Sequence, residues 1–227
     1  MTPSDSNHGE PSVAYHLREL EIATDPLNPH RLMPRIQPHH NTILDIGCGL
    51  GQTLLAARLS PSVTAYGVDP DIDAIRAGQA MAPSNVHLEV GCGEALPFPD
   101  EMFDLVICRV ALPYMRIARS LTETRRVLKA GGQVWMSLHG IETLRSRVRD
   151  SCAEGDVKDV AYCGFVGLNS ALFLLVGAQM KLAGRTETVQ TERGMRRAFA
   201  RARLECTEVR RGRHFVVCGR KPATGAV

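Results

Sequence analysis

The stretch Asp45-Ile46-Gly47-Cys48-Gly49-Leu50-Gly51 places a carboxylate ahead of three alternating glycines, between a short apolar run and a helical pattern. Glycines in such a turn let backbone pass close to a ligand, and the start of the helix presents unpaired N–H groups. A dinucleotide site would read GxGxxG, with a pyrophosphate on those N–H groups. Here the spacing is GxGxG. The leading Asp45 repels a pyrophosphate but can position a cationic ammonium, directly or through water. Asp69 ends the next apolar run in Tyr66-Gly67-Val68-Asp69-Pro70, where a carboxylate can accept hydrogen bonds from both hydroxyls of a ribose. It follows Gly51 by one helix and one strand. A ligand with a ribose beside an amino-acid end suits this pair.

Short apolar runs that alternate with longer helical patterns must position these residues, which predicts a parallel sheet with helices on both faces. A leading helix is expected over Glu10–Ala23, and prolines 26, 29, 34 and 38 separate it from the first strand, Thr42–Ile46. A helix near Gln52–Leu59, a strand at Val63–Val68, a helix at Asp71–Met81 and a strand at Val86–Val90 complete two βαβ units. The fourth strand is Phe103–Cys108. A helix over Ile117–Leu128 then ends at Ala130-Gly131-Gly132, where glycine supplies a left-handed cap, and Gln133–Leu138 is the fifth strand. Some 60 residues of helical, partly apolar sequence follow, read as an inserted cover, before Glu205–Arg210 and His214–Gly219 form a terminal hairpin. The expected organisation is a tail and leading helix (1–24), the ligand-binding core (25–139), a helical insertion or lid (140–203), the closing hairpin (204–220) and a tail (221–227). The fold class is α/β, a Rossmann-like, mostly parallel seven-stranded sheet with a C-terminal antiparallel hairpin.

Four segments in this order, TILDIGCGLGQT, YGVDPD, EALPFPDEMFDLVICRVALPYM and ETRRVLKAGGQVW, resemble a class I S-adenosylmethionine (SAM) dependent methyltransferase of the small-molecule type, over residues 42–138. The resemblance implies SAM as methyl donor and S-adenosylhomocysteine as product. It implies that Asp45 and the backbone of Gly47, Cys48, Gly49 and Gly51 hold the methionine moiety, Asp69 the ribose and Pro70 one face of the adenine. The backbone at Arg109 would reach the methionine amine. Related sequences commonly read GDAEALPF where this one has Gly91-Cys92-Gly93-Glu94-Ala95-Leu96-Pro97-Phe98. The adenine-binding Asp is thus Cys92, a poor acceptor; the contact is weakened or taken over by Glu94, next to Gly93. Loss of one such hydrogen bond costs on the order of 0.5 to 1.5 kcal/mol.

The acceptor side is less defined. His139 follows the fifth strand and reads either as a loop histidine or as a general base facing the acceptor. Tyr114 stands where many small-molecule members of the family place a histidine. Methyl transfer from a sulfonium is an in-line displacement, so alignment and exclusion of water can carry most of it, worth roughly 7 to 11 kcal/mol. Val160–Met180 carries no charge and approaches the length of a membrane span, yet it lies between the fifth strand and the hairpin; lid helices are the preferred reading, with membrane-surface contact as the alternative. Its apolar content predicts an apolar or aromatic small-molecule acceptor, methylated on O, N or C. Six arginines between 185 and 203 read as a solvated helical face.

The other function classes are an NAD-dependent oxidoreductase and a SAM-binding module without catalysis. Lys+Arg 27 against Asp+Glu 24 leaves a formal charge of +3, with no basic, aromatic platform for nucleic acid. The 7 cysteines form no CxxC pair with zinc-ligand spacing, so no metal is expected, and a reducing cytoplasm fits. The polar N-terminus lacks a secretory pattern. Nothing in the sequence sets an oligomeric state.

Overall fold

The computed structural model describes residues 12–212 and 214–223. Seven strands form one sheet in the order β3-β2-β1-β4-β5-β7-β6. These are β1 (Thr42–Ile46), β2 (Thr64–Asp69), β3 (Val86–Val90), β4 (Phe103–Arg109), β5 (Leu128–Leu138), β6 (Glu205–Arg210) and β7 (Phe215–Arg220). The first five strands pair in parallel, β7 runs antiparallel to β5, and β6 closes the edge as a hairpin partner. The helices are α1 (Ser12–Thr24), α2 (Gln52–Ala56), α3 (Ile72–Gln79), α4 (Ile117–Val127), α5 (Ile141–Glu154), α6 (Val157–Val176) and α7 (Glu192–Arg201).

Side chains along the central strands alternate faces, and almost every position is apolar, as expected for a sheet covered on both sides. Leu44, Ile46, Val106, Cys108, Met136, Leu138 and Val217 pack on one face, against residues of α4 and α7 such as Leu121, Met195 and Phe199. Ile43, Leu105, Ile107, Trp135 and Val216 pack on the other, with Leu54 and Ile75 of α2 and α3. Asp45 is the charged exception in β1, 1% exposed between Leu44 and Ile46. Strand order reverses at β1, between β2 and β4, so the crevice beyond the carboxyl ends of β1 and β4 is the place where such sheets bind ligands.

Several expectations are corrected. The glycines at 131 and 132 do not cap α4. That helix stops at Val127 because Leu128, fully buried, turns extended and pairs with Phe103. Residues 129–132 then form an irregularity before the register resumes at Leu105 and Gln133, with Gly131 N–H donating to the Lys221 carbonyl at 2.9 Å. Lys221 is accordingly not tail: its Nζ donates to the Leu128 carbonyl at 2.8 Å and pairs with Glu101 at 3.0 Å. α2 ends at Ala56, three residues short of Leu59, and Glu10 lies outside the described residues. The cover is not uniformly helical. Gly177, in the left-handed region at φ 77, ends α6, and residues 178–190 return as an extended strap before α7, whose Met195 and Phe199 belong to the sheet core.

Candidate active site

The loop after β1 folds as its glycines demand. Gly47 has φ +73 and a Cβ there would lie 2.1 Å from the Ala111 Cβ; Gly49 has φ +56 and a Cβ would meet the His16 ring at 2.3 Å. Both conditions exclude a side chain. Gly47 and Cys48 N–H both donate to the Val68 carbonyl, at 2.8 and 3.1 Å, tying the loop to β2. Cys48 is buried as a small apolar group, and burial pushes its thiol pKa well up. Gly51 N-caps α2 in the left-handed region.

Asp69, at the end of β2, accepts from Gly49 N–H at 2.8 Å and from Asp71 N–H at 2.9 Å, one on each carboxylate oxygen. Each oxygen keeps a second lone pair. Pro70 is exposed beside it. Asp45 is the electrostatic centre. Neither of its oxygens meets a donor in good hydrogen-bond geometry among the described residues. Burial raises its pKa to about 7, against the opposing pull of Arg109 and Thr53. A buried carboxylate short of donors is costly unless a cation reaches it. The cradle therefore fits the methionine end of SAM: an anionic pocket for an ammonium, backbone laid bare by glycines, and a carboxylate one strand over for a ribose.

Beyond β3, Cys92 is exposed and bridges to Ala95, while Gly93 packs under Met115 and Ile46. Glu94 has a structural partner. Its carboxylate accepts from Arg116 N–H at 3.0 Å, serving the start of α4, where Arg116 supplies no side-chain cap of its own. Arg109 reaches the crevice with its side chain as well as its backbone: the guanidinium is 8% exposed and pairs with Glu19 at 2.9 Å. The next residue, Val110, sits at φ 65, a conformation a β-branched residue rarely adopts, where β4 breaks into the 3-10 turn Leu112–Tyr114.

Sequence reasoning placed α1 but not its position over the glycine loop. His16 lies on Gly49 and 3.5 Å from Gln52, Ser12 bonds Asp71, and Tyr15 stands near Arg109 and Tyr114, its hydroxyl pKa raised by burial to about 12. Burial also lowers the His16 pKa. A polar helix before a proline-rich stretch carries no signal of what it will cover.

The far wall is built from distant segments. His139, at the end of β5, is 5% exposed, and its ring meets Tyr114 edge-to-face at 5.6 Å. Burial, reinforced by Arg147, lowers its pKa to about 4, so it is a neutral imidazole near pH 7, with Nε2 unpartnered among the described residues. Arg147 of α5 binds Asp159 of α6 through Nε at 3.0 and 3.1 Å, reaches Glu187 of the strap at 3.4 Å, and stacks 5.1 Å from the Tyr162 ring centroid. Asn169 is the hub: fully buried, it donates to the carbonyls of Thr186 and Glu187 at 3.2 and 3.0 Å and accepts from Met180 N–H at 2.7 Å. The strap is stitched to the 3-10 turn by Thr188 N–H to Pro113 O at 3.1 Å and Thr186 Oγ1 to Tyr114 O at 2.9 Å. The lid therefore presents polar and aromatic groups inward. The apolar side chains of α6 divide between the faces: Cys163, Val166 and Phe173 are buried, while Leu168 and Leu175 are 62% and 71% exposed. Arginines of α7 serve the end of α6, as Arg197 and Arg201 donate to the carbonyls of Leu174 and Val176, each at 3.0 Å.

Residues 43–132 match the family model described as a methyltransferase domain. The chain is 36% identical over 103 residues to the uncharacterized methyltransferase YcgJ of Bacillus subtilis, covering 43% of this chain and 40% of that protein. It is 37% identical over 99 residues to a demethylmenaquinone methyltransferase of Symbiobacterium thermophilum, covering 40% of this chain and 39% of that protein. The matches thus span about two fifths of the length of these curated relatives. Among solved structures, a SAM-dependent methyltransferase from Methanosarcina mazei superposes with a TM-score of 0.55 at 19% identity, covering 85% of this chain and all (100%) of that one.

Proposed function

We propose that this chain, which carries a class I SAM-dependent methyltransferase domain in the region of residues 43–132, transfers a methyl group from SAM to an O, N or C atom of a small acceptor. The observation that carries the reading is Asp45: a buried carboxylate short of donors, at the carboxyl end of β1, framed by glycine backbone and by Asp69. The same carboxylate disfavours a nicotinamide dinucleotide, whose pyrophosphate it would repel. Bound SAM supplies an electrophilic methyl on a sulfonium.

The chain's own residues bind, orient and exclude water. Asp45 would hold the ammonium, Asp69 the ribose hydroxyls, and the backbone beyond β4 the remaining donors of the amino-acid end. The acceptor would lie between Tyr114, His139 and the inner face of α5 and α6. There an aromatic acceptor finds rings to pack on, and its polar atom a hydrogen-bond partner in neutral His139. With a pKa near 4, His139 is an orienting partner for the acceptor's proton rather than a lasting carrier of it. All 7 cysteines are free, which suits a reducing compartment.

Isothermal titration with SAM tests the donor half, and turnover of methyl-labelled SAM against a panel of phenols, amines and quinols tests the acceptor half. Saturable SAM binding with labelled product supports the proposal. Binding without turnover across the panel favours a non-catalytic SAM-binding module, and absence of SAM binding overturns both.

A further inference from the structure

The outer face of α6 is apolar, and among the described residues no element covers it. Val157, Ala161, Gly164, Leu168, Ala171 and Leu175 are all exposed, Val157 to 78%, and no atom lies within 4 Å of where a Gly164 Cβ would stand. Their spacing alternates four and three residues. That is a narrow heptad seam, the pattern of helix pairing. The helix is long and apolar enough to cross a membrane, with a mean hydropathy of 1.6 in its best window. Its inner face, however, carries Asp159, Tyr162 and Asn169, bound to Arg147 and the strap.

We infer that α6 pairs antiparallel with α6 of a second copy of this chain, across a two-fold axis that crosses the exposed seam at the level of Val166, which is itself buried on the opposite face. The seam positions are symmetric about that level and complementary in size: Gly164 stands opposite Leu168, Ala161 opposite Ala171, and Val157 opposite Leu175. Each leucine fills the gap over a smaller residue, and the alanine layers allow close approach. Charge selects the same direction. The N-terminal end carries exposed Glu154 and Asp156 against one exposed base, Lys158, and is net acidic, whereas the C-terminal end carries exposed Lys181 and Arg201, the latter bonded to the Val176 carbonyl at 3.0 Å. Antiparallel pairing sets acid against base at both ends and opposes the helix dipoles; parallel pairing sets like against like. The pairing backs one lid against the other and does not depend on methyl transfer.

Sedimentation equilibrium of the full chain at tens of micromolar is expected to give twice the 24.8 kDa chain mass. Leu168→Arg and, separately, Ala171→Arg are expected to return the monomer mass with an unchanged circular-dichroism melt. In a Cys152→Ser background, a mixture of Val157→Cys and Leu175→Cys proteins is expected to form a 157–175 intermolecular disulfide on oxidation, found by peptide mass spectrometry. A monomeric wild type overturns the inference. So does a dimer that survives both arginine variants, or a 157–157 disulfide, which marks parallel pairing. A monomer that co-floats with phosphatidylglycerol vesicles transfers the face to a membrane and overturns it as well.

Discussion

The two walls of the crevice are built on different principles. On the donor side, Asp45, Gly47, Gly49 and Asp69 lie within one strand–loop–helix–strand stretch, and backbone N–H groups hold the geometry, as in the Gly49 N–H bond to Asp69 at 2.8 Å. On the acceptor side, Tyr114, His139, Arg147, Tyr162 and Glu187 come from five separate segments, joined by side chains with Asn169 as the hub. A site made by backbone changes little when side chains change, whereas one made by side chains across distant segments can be remodelled without disturbing the sheet. On the proposed reading, the methyl donor belongs to the first wall and acceptor specificity to the second.

The contrast is broken most directly at Asp69. Asp69→Ala removes two charge-assisted partners of the ribose and also frees the Gly49 and Asp71 N–H groups. SAM binding is expected to weaken by more than about 100-fold by titration, at about 1.5 to 3 kcal/mol per bond to a charged group.

The walls also respond oppositely to pH. Asp45, with its pKa raised to about 7, contributes stability that is present in acid and lost as pH rises through 7. His139, lowered from 6.5 to about 4, contributes stability that is present above 6.5 and lost as pH falls through 4, roughly 3 kcal/mol at most. Denaturant unfolding from pH 4 to 8 should show Asp45→Asn removing the first slope and His139→Gln the second. Because the ammonium of SAM needs the ionised carboxylate, SAM affinity should rise about tenfold from pH 6 to 8 in the wild type and stay flat in Asp45→Asn.

Asn169→Ala leaves buried carbonyls and the Met180 N–H unpaired, at an expected cost of about 2 to 3 kcal/mol in unfolding free energy. SAM affinity in this variant should stay within about twofold by titration; a larger loss would mean that the two walls are not separable. The smallest effect is at position 92: Cys92→Asp restores an acceptor beside the adenine position and should tighten SAM binding up to about tenfold, with catalysis on the acceptor panel unchanged.

Strands β1, β3 and β4 were legible almost to the residue, because buried parallel strands read as apolar runs and the loops between them carry glycine and proline. The glycine turn after β1 was legible for the same reason, since a strand-to-helix turn with left-handed residues needs glycine wherever it occurs. Leu128 was not, because its helical pattern competes with pairing to Phe103, which lies far away in the sequence. His16, Arg147 and Glu187 gave no local signal at all.

By itself, then, the sequence determined the order of the sheet's elements, the turn that bares backbone at the crevice and the acids at its rim, since each follows from interactions between near neighbours along the chain. Only the tertiary structure decided that α1 lies over the loop, that the lid turns its polar side inward and leaves its apolar seam outside, and that Asp45 is left short of donors. Those depend on which surfaces meet, and the amphipathic period of a helix states that it has two faces without stating which one the rest of the molecule will cover.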